Sequence, residues 1–155
     1  MTYPRADDPR DATDFVGAKG ALLFGSRMLW LLRDDRPDLP FAGLWDLVGG
    51  GREGPETPRE TLIREAREET GLDLEAAEWL WQRPFPAMGA PHRTGWFFVL
   101  QLPEHHAARI TLGEEGQGWL LAQPADFVRH PQAVPALRDR VALWLSVLGH
   151  RPEAG

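Results

Sequence analysis

An α/β fold, with a mixed β-sheet held between helices, is what this sequence predicts on three observations. Two segments far apart in the chain, 58–70 and 135–148, read as amphipathic helices. The run Trp96-Phe97-Phe98-Val99-Leu100 is nearly all apolar, as in a strand buried on both faces. Shorter apolar runs bounded by Gly, Pro, Asp and Ser lie before and between the helices. Strands with two separated helices bury their apolar surface well as a sheet covered on both sides.

The first helix is signalled at both ends. Thr57-Pro58-Arg59-Glu60 forms a capping box, in which the Thr57 hydroxyl accepts from the Glu60 amide and the Glu60 carboxylate reaches back. Pro58 suits the first helical position, where an amide would lack a helical partner anyway. Gly71 suits the left-handed residue that ends a helix, so the helix runs from Pro58 to Thr70. At about 100° per residue, Leu62, Ile63, Ala66 and Thr70 share a core-facing side.

The other elements follow in order. Residues 1–14 are polar and contain Pro4 and Pro9, which predicts a loose tail or an arm on a partner subunit; residues 15–150 are expected to form one domain. Phe15–Phe24 and Arg27–Arg33 read as a hairpin turning at Gly25-Ser26. Residues 34–43 carry three Asp and two Pro and read as a surface loop. Trp45–Val48 is a short strand feeding Gly49-Gly50-Gly51. Beyond the helix, Trp79–Phe85 is extended, Ala87–Arg93 is a loop and Thr94–Leu102 is the central strand. Residues 103–108 connect onward, Ile110–Leu112 is a short strand, and 113–118 is an acidic loop. Trp119–Leu121 is another strand, and Pro124–Phe127 opens a short helical turn. Pro135–Leu148 puts Leu137, Val141, Leu145 and Leu148 on one stripe, with Gly149 as its stop.

The chemistry concentrates on the first helix. Glu65, Glu68 and Glu69 are neighbours on its surface, where like charges repel by a few tenths of a kcal/mol per pair. Two of them lie in the last turn, where the helix dipole disfavours anions. One account is a solvated acidic face relieved by Arg64 and Arg67. The other is a site for a hard cation such as Mg2+ or Mn2+, which carboxylate oxygens suit.

The wider pattern weighs for the second. Gly50 is followed by Glu56, by Arg64-Glu65-Ala66, by Glu68-Glu69 and by Gly71-Leu72, at the spacing of the Nudix box. The agreement holds at about nine positions over 23 residues and is far more specific than a lone GxGxxG. The box covers roughly a seventh of the chain, and the order of elements around it is also similar. The chain therefore resembles a Nudix hydrolase of the MutT-like kind. The resemblance implies an α/β/α sandwich and hydrolysis of a pyrophosphate linkage in a nucleoside diphosphate linked to X. It implies Glu65, Glu68 and Glu69 as metal-binding carboxylates, with the main-chain oxygen of Gly49 as a further ligand. Gly50 and Gly51 would let the backbone approach substrate. Arg64 and Glu56 look like the pair that orients the loop and ligands, or else an ordinary surface ion pair. Glu65 is the first choice for the general base.

Glu115 is the competitor. Glu114-Glu115-Gly116 ahead of Trp119 resembles a late-loop glutamate carried by many members. From across a cleft it could bind a second metal or activate water, and otherwise it is a solvated loop charge. Arg33 resembles a position that often touches substrate phosphate, a role that suits a guanidinium. Trp45 and Trp119 could stack on a base, but aromatics so close to strands more often belong to a core. His92, His105 and His106 show no convincing ligand spacing and read as loop residues.

Composition limits the classes. The chain has 155 residues and no cysteine, which excludes a disulfide framework, a thiol nucleophile and a cysteine zinc site. No apolar run nears the length of a membrane span and no signal-peptide pattern opens the chain, so a cytoplasmic protein is expected. A net charge of −6 argues against a broad nucleic-acid surface but not against a nucleotide bridged by a cation. Homodimers are common among similar proteins. Pro84-Phe85-Pro86 resembles a fragment of a motif in NADH-cleaving members, and Pro86 lies near a proline of ADP-ribose hydrolases. The chain looks as much like members that hydrolyse nucleoside triphosphates, including oxidised guanine forms. The alternative to an enzyme is a non-catalytic Nudix module that senses a nucleotide for a partner. Sensors usually lose box residues, and none is lost here.

Overall fold

The computed structural model describes residues 14–149. The chain runs β1 (Gly17–Phe24), β2 (Arg27–Leu32), β3 (Trp45–Asp46), β4 (Val48–Gly51) and α1 (Pro58–Thr70). It continues through β5 (Glu78–Ala87), β6 (Ala90–Leu102), β7 (Gly118–Ala122), α2 (Pro124–Arg129) and α3 (Pro135–Gly149). Single 3-10 segments at Leu74–Ala76 and Glu104–Arg109 fill two connections. The strands form one mixed sheet. Its main path is β3-β2-β1-β6-β5, with β4 also paired to β1 and β7 to β2. β1 and β6 are parallel over eight residue pairs, and the other pairings are antiparallel.

Alternation along β6 divides the core into two layers. Trp96, Phe98 and Leu100 join the cluster that holds Leu62 and Ala66 of α1. Phe97 and Val99 join the cluster that holds Leu137, Val141 and Trp144 of α3. Phe97 through Leu100 are all 0% exposed, so the strand is covered on both faces, as its composition predicts. The result is an α/β/α sandwich. No described helix is long and apolar enough to cross a membrane.

The caps of α1 form as read. The Glu60 amide donates to Thr57 Oγ1 at 3.2 Å, the Thr57 amide donates to Glu60 Oε1 at 2.9 Å, and Gly71 closes the helix at φ 70°. Leu62, Ala66 and Thr70 are buried and Ile63 is half-buried.

Four expectations change. The loop expected at 87–93 shrinks to a turn at Met88-Gly89, because β5 and β6 extend into a long hairpin. Pro84 and Pro86 tolerate this because β5 is the outer strand of the sheet path, where a missing amide breaks no ladder. Ile110–Leu112 is not a strand. The amides of Thr111 and Gly113 donate to the Thr70 and Glu69 carbonyls at 2.8 and 2.9 Å, so this stretch satisfies the open end of α1 instead. β2 ends at Leu32, leaving Arg33 just past it. On α3 the buried stripe runs Leu137, Val141, Trp144, while Leu148 is 42% exposed. The expected tail lies outside the described residues, apart from Asp14.

Candidate active site

The glycine turn and α1 are built to touch. Gly49 has φ 137°, and a Cβ there would overlap the Ala18 carbonyl of the neighbouring strand. At Gly50 a Cβ would lie 2.6 Å from Glu65 Oε1, so the missing side chain is what lets the carboxylate reach the turn. The Gly49 amide donates to Glu69 Oε1 at 2.8 Å. Backbone and helix thus meet through two of the three box carboxylates.

Arg64 closes the other side. Its Nε donates to Glu56 Oε2 at 2.7 Å and its Nη2 to the Gly51 carbonyl at 2.7 Å. Glu56 also accepts from the Glu53 amide and the Thr61 hydroxyl. The arginine therefore clamps the 51–56 loop onto α1 and holds the Glu56 carboxyl below its usual range. Arg64 Nη1 also donates to Glu65 Oε1 and Glu68 Oε2, each at 3.1 Å.

Two of the three box carboxylates are thus partly engaged by arginine, and the third by a backbone amide. Each keeps one oxygen clear. Glu65 Oε2, Glu68 Oε1 and Glu69 Oε2 accept from no donor among the described residues. Among those residues no three acidic or histidine side chains already converge at ligating distance. Burial pushes the Glu65 carboxyl up, and pushes Glu69 up to about 7 against the pull of Lys19. Both shifts come chiefly from desolvation of the charged carboxylate, a penalty that a divalent cation bound there would offset. The donor set is oxygen-only, which fits Mg2+ or Mn2+.

A cleft of about 550 Å³ opens beside these groups. Glu65, Glu69, Arg33 and Glu115 line it together with Gly49, Gly50 and Gly51. Glu115 is exposed, on a loop fixed at both ends. The Gly113 amide donates to the Glu69 carbonyl, and the Gly116 amide to Asp34 Oδ2 at 3.2 Å. Glu114 lines a neighbouring hollow together with Glu115 and Glu69. Glu68 is exposed on the rim of the helix. Trp45 packs edge-on against Trp30, and Trp119 is 39% exposed; neither lines the cleft. His92 is exposed, and His105 and His106 pair with each other away from it.

Sequence reasoning missed a largely buried charge cluster in the lining of the cleft. Lys19 Nζ donates to Asp46 Oδ2 at 3.0 Å and to the Leu47 and Gly49 carbonyls at 3.3 and 3.0 Å. Arg33 Nη1 donates to the same Asp46 oxygen at 2.8 Å, and its Nε to the Pro40 carbonyl. Asp46 therefore aims Arg33 and anchors Lys19. The Gly49 oxygen expected to bind a metal also accepts from this ammonium, which takes one of its two lone pairs. A lysine between Ala18 and Gly20 in an apolar strand was the available signal. Trp96 and Arg140 were also missed as cleft-lining residues.

Fold and site together define a small α/β/α hydrolase domain with its carboxylates on a helix under a glycine turn. The NUDIX domain matches residues 15–144, and the chain belongs to that family. It is an enzyme of the Nudix pyrophosphohydrolase class. It is similar to the CTP pyrophosphohydrolase of Escherichia coli K12, with 35% identity over 91 residues, 55% of this chain and 67% of that protein. Its fold is similar to the Nudix hydrolase RenU of M. smegmatis, with TM-score 0.69 and 19% identity over 92% of this chain and 90% of that one. The C. elegans Ap4A hydrolase gives TM-score 0.67 and 17% identity over 87% and 99% of the two chains.

Proposed function

We propose that this protein hydrolyses a pyrophosphate linkage in a nucleoside diphosphate derivative, using Mg2+ or Mn2+ held by Glu65, Glu68 and Glu69. The observation that carries this is the meeting of Glu65, Glu69, Glu115 and Arg33 around one cleft beside the glycine turn. A bound divalent cation would supply charge neutralisation of the phosphates and acidify a water. The protein's residues do the rest. Arg33, aimed by Asp46, takes a non-bridging phosphate oxygen through its remaining donors. Gly50 and Gly51 give the backbone close access to the same group. Glu65 is the first candidate to hold the proton taken from water, because burial raises its proton affinity. Glu115 stands opposite as the second carboxylate. The Gly49 oxygen is a further proposed ligand, through the lone pair that Lys19 leaves open.

The test is a panel of CTP, GTP, oxidised dGTP, ADP-ribose, NADH and a dinucleoside polyphosphate, assayed for released phosphate or nucleoside monophosphate. Turnover is expected on at least one member with Mg2+ and none in EDTA. Glu68→Gln should lower kcat by roughly 100-fold or more with an unchanged melting temperature, since it removes a ligand from an exposed position. Near-wild-type rates in that variant would remove Glu68 from the site. Tight binding of one nucleotide with no turnover on any would favour a sensor instead.

A further inference from the structure

We infer that Arg140 reads the base of the substrate, selecting a nucleobase edge that carries two adjacent hydrogen-bond acceptors. This rests on the nucleotide reading of the cleft above. Arg140 lies on α3, on the opposite side of the sheet from the box helix, yet it lines the same cleft as Glu65 and Glu69. It is 4% exposed. Its Nη2 donates to the Pro86 carbonyl at 2.9 Å, and the guanidinium lies 4.9 Å from the centre of the Phe85 ring. Among the described residues no carboxylate pairs with it, and burial pushes its pKa down to about 10. A buried guanidinium held by one carbonyl and a ring face is unusual, because desolvated charges are normally paired.

The remaining donors are not sealed in. Nε and Nη1 have no acceptor among the described residues, and neither is cut off from solvent. They therefore face whatever enters the cleft. The same cleft is lined by Phe41, Ala87, Met88, Trp96 and Val134, and Ala87 and Met88 directly follow the Pro86 that holds Arg140. These apolar and aromatic groups suit a flat base rather than a phosphate. The charged end of the cleft, with Arg33 and the carboxylates, is left for the phosphates. A cleft of about 550 Å³ is large enough to hold both parts of a nucleotide.

Arginine presents parallel N–H groups and no acceptor. It matches guanine through O6 and N7 and cytosine through O2 and N3. Adenine sets a donor beside its N7 acceptor, and uracil sets a donor between its carbonyls, so each leaves one guanidinium N–H poorly matched. Such a mismatch in a desolvated pocket costs about tenfold or more in affinity.

The experiment is calorimetric titration of GMP, CMP, AMP and UMP into the wild-type protein, Arg140→Met and Arg140→Lys, in EDTA. GMP or CMP should bind about tenfold tighter than AMP and UMP to wild type. Arg140→Met should bring that ratio close to one, and Arg140→Lys should restore part of it. Loss of the Pro86 contact alone would weaken all four ligands equally. Equal affinities in wild type, or an undiminished ratio in a folded Arg140→Met protein, would overturn the assignment. Should Arg140→Met not fold, the Arg140 Nε–H resonance of wild type decides the matter. It should move on adding GMP or CMP and not on adding AMP, and the absence of any movement overturns the proposal. No turnover is read, so a failure of base selectivity and a failure of hydrolysis are separate results.

Discussion

Replacing Glu69 by Gln should stabilise the metal-free protein above neutral pH. Burial lifts the Glu69 carboxyl from an ordinary 4.5 to about 7, with Lys19 and the Gly49 amide opposing the shift. Between those two values the native state keeps a proton that the unfolded chain has lost, so stability falls as pH rises through the window. Below 4.5 both states are protonated and the penalty is absent; above about 7 it is complete. Converted at about 1.4 kcal/mol per tenfold change in proton affinity, the full penalty is about 3 kcal/mol. The side chain is only half-buried, so solvent screening reduces this to about 2 kcal/mol. Gln copies the neutral acid in shape and can still accept from the Gly49 amide. The variant should therefore melt about 6 °C higher than wild type at pH 8 in EDTA, with the difference shrinking to near zero at pH 4.5. Circular dichroism melts at both pH values measure this. No gain at pH 8, or an equal gain at both, would refute the claim that desolvation sets this carboxyl.

Two glycine variants separate folding from chemistry. Gly49→Ala meets both a positive φ and the Ala18 carbonyl, so urea unfolding should show a loss of at least about 2 kcal/mol. Gly50→Ala meets only the movable end of Glu65, so its stability should fall by less than about 1 kcal/mol while turnover drops on the order of 100-fold. Glu65→Gln should cost about 100-fold or more in kcat, as expected for a general base, and Glu115→Gln roughly tenfold. The reverse order in steady-state kinetics would transfer the role of base to Glu115.

How much of this was legible without coordinates differs from element to element. Local chemistry announced α1, because a cap is a contact between residues three apart and a terminal glycine reports its own backbone angle. The box spacing made Glu56, Arg64 and the three glutamates legible for the same reason, since all lie on one helix and the loop leading into it. The strand 94–102 was legible because burial on both faces leaves a plain apolar run. Residues 79–85 were legible as extended, but the length of the hairpin they make with this strand was not, because Gly89, Pro91 and His92 have the composition of a loop until the pairing is known. Ile110–Leu112 has the composition of a strand, but the unsatisfied carbonyls of α1 claim its amides. Lys19 and Asp46 come from two strands, Arg33 from the residue just past a third, and Arg140 from a helix on the far side of the sheet. The sequence by itself determined which side chains one helix and one turn would present. Only the tertiary structure decided which distant charges stand beneath and beside them, because burial and pairing across the sheet depend on contacts that no local pattern encodes.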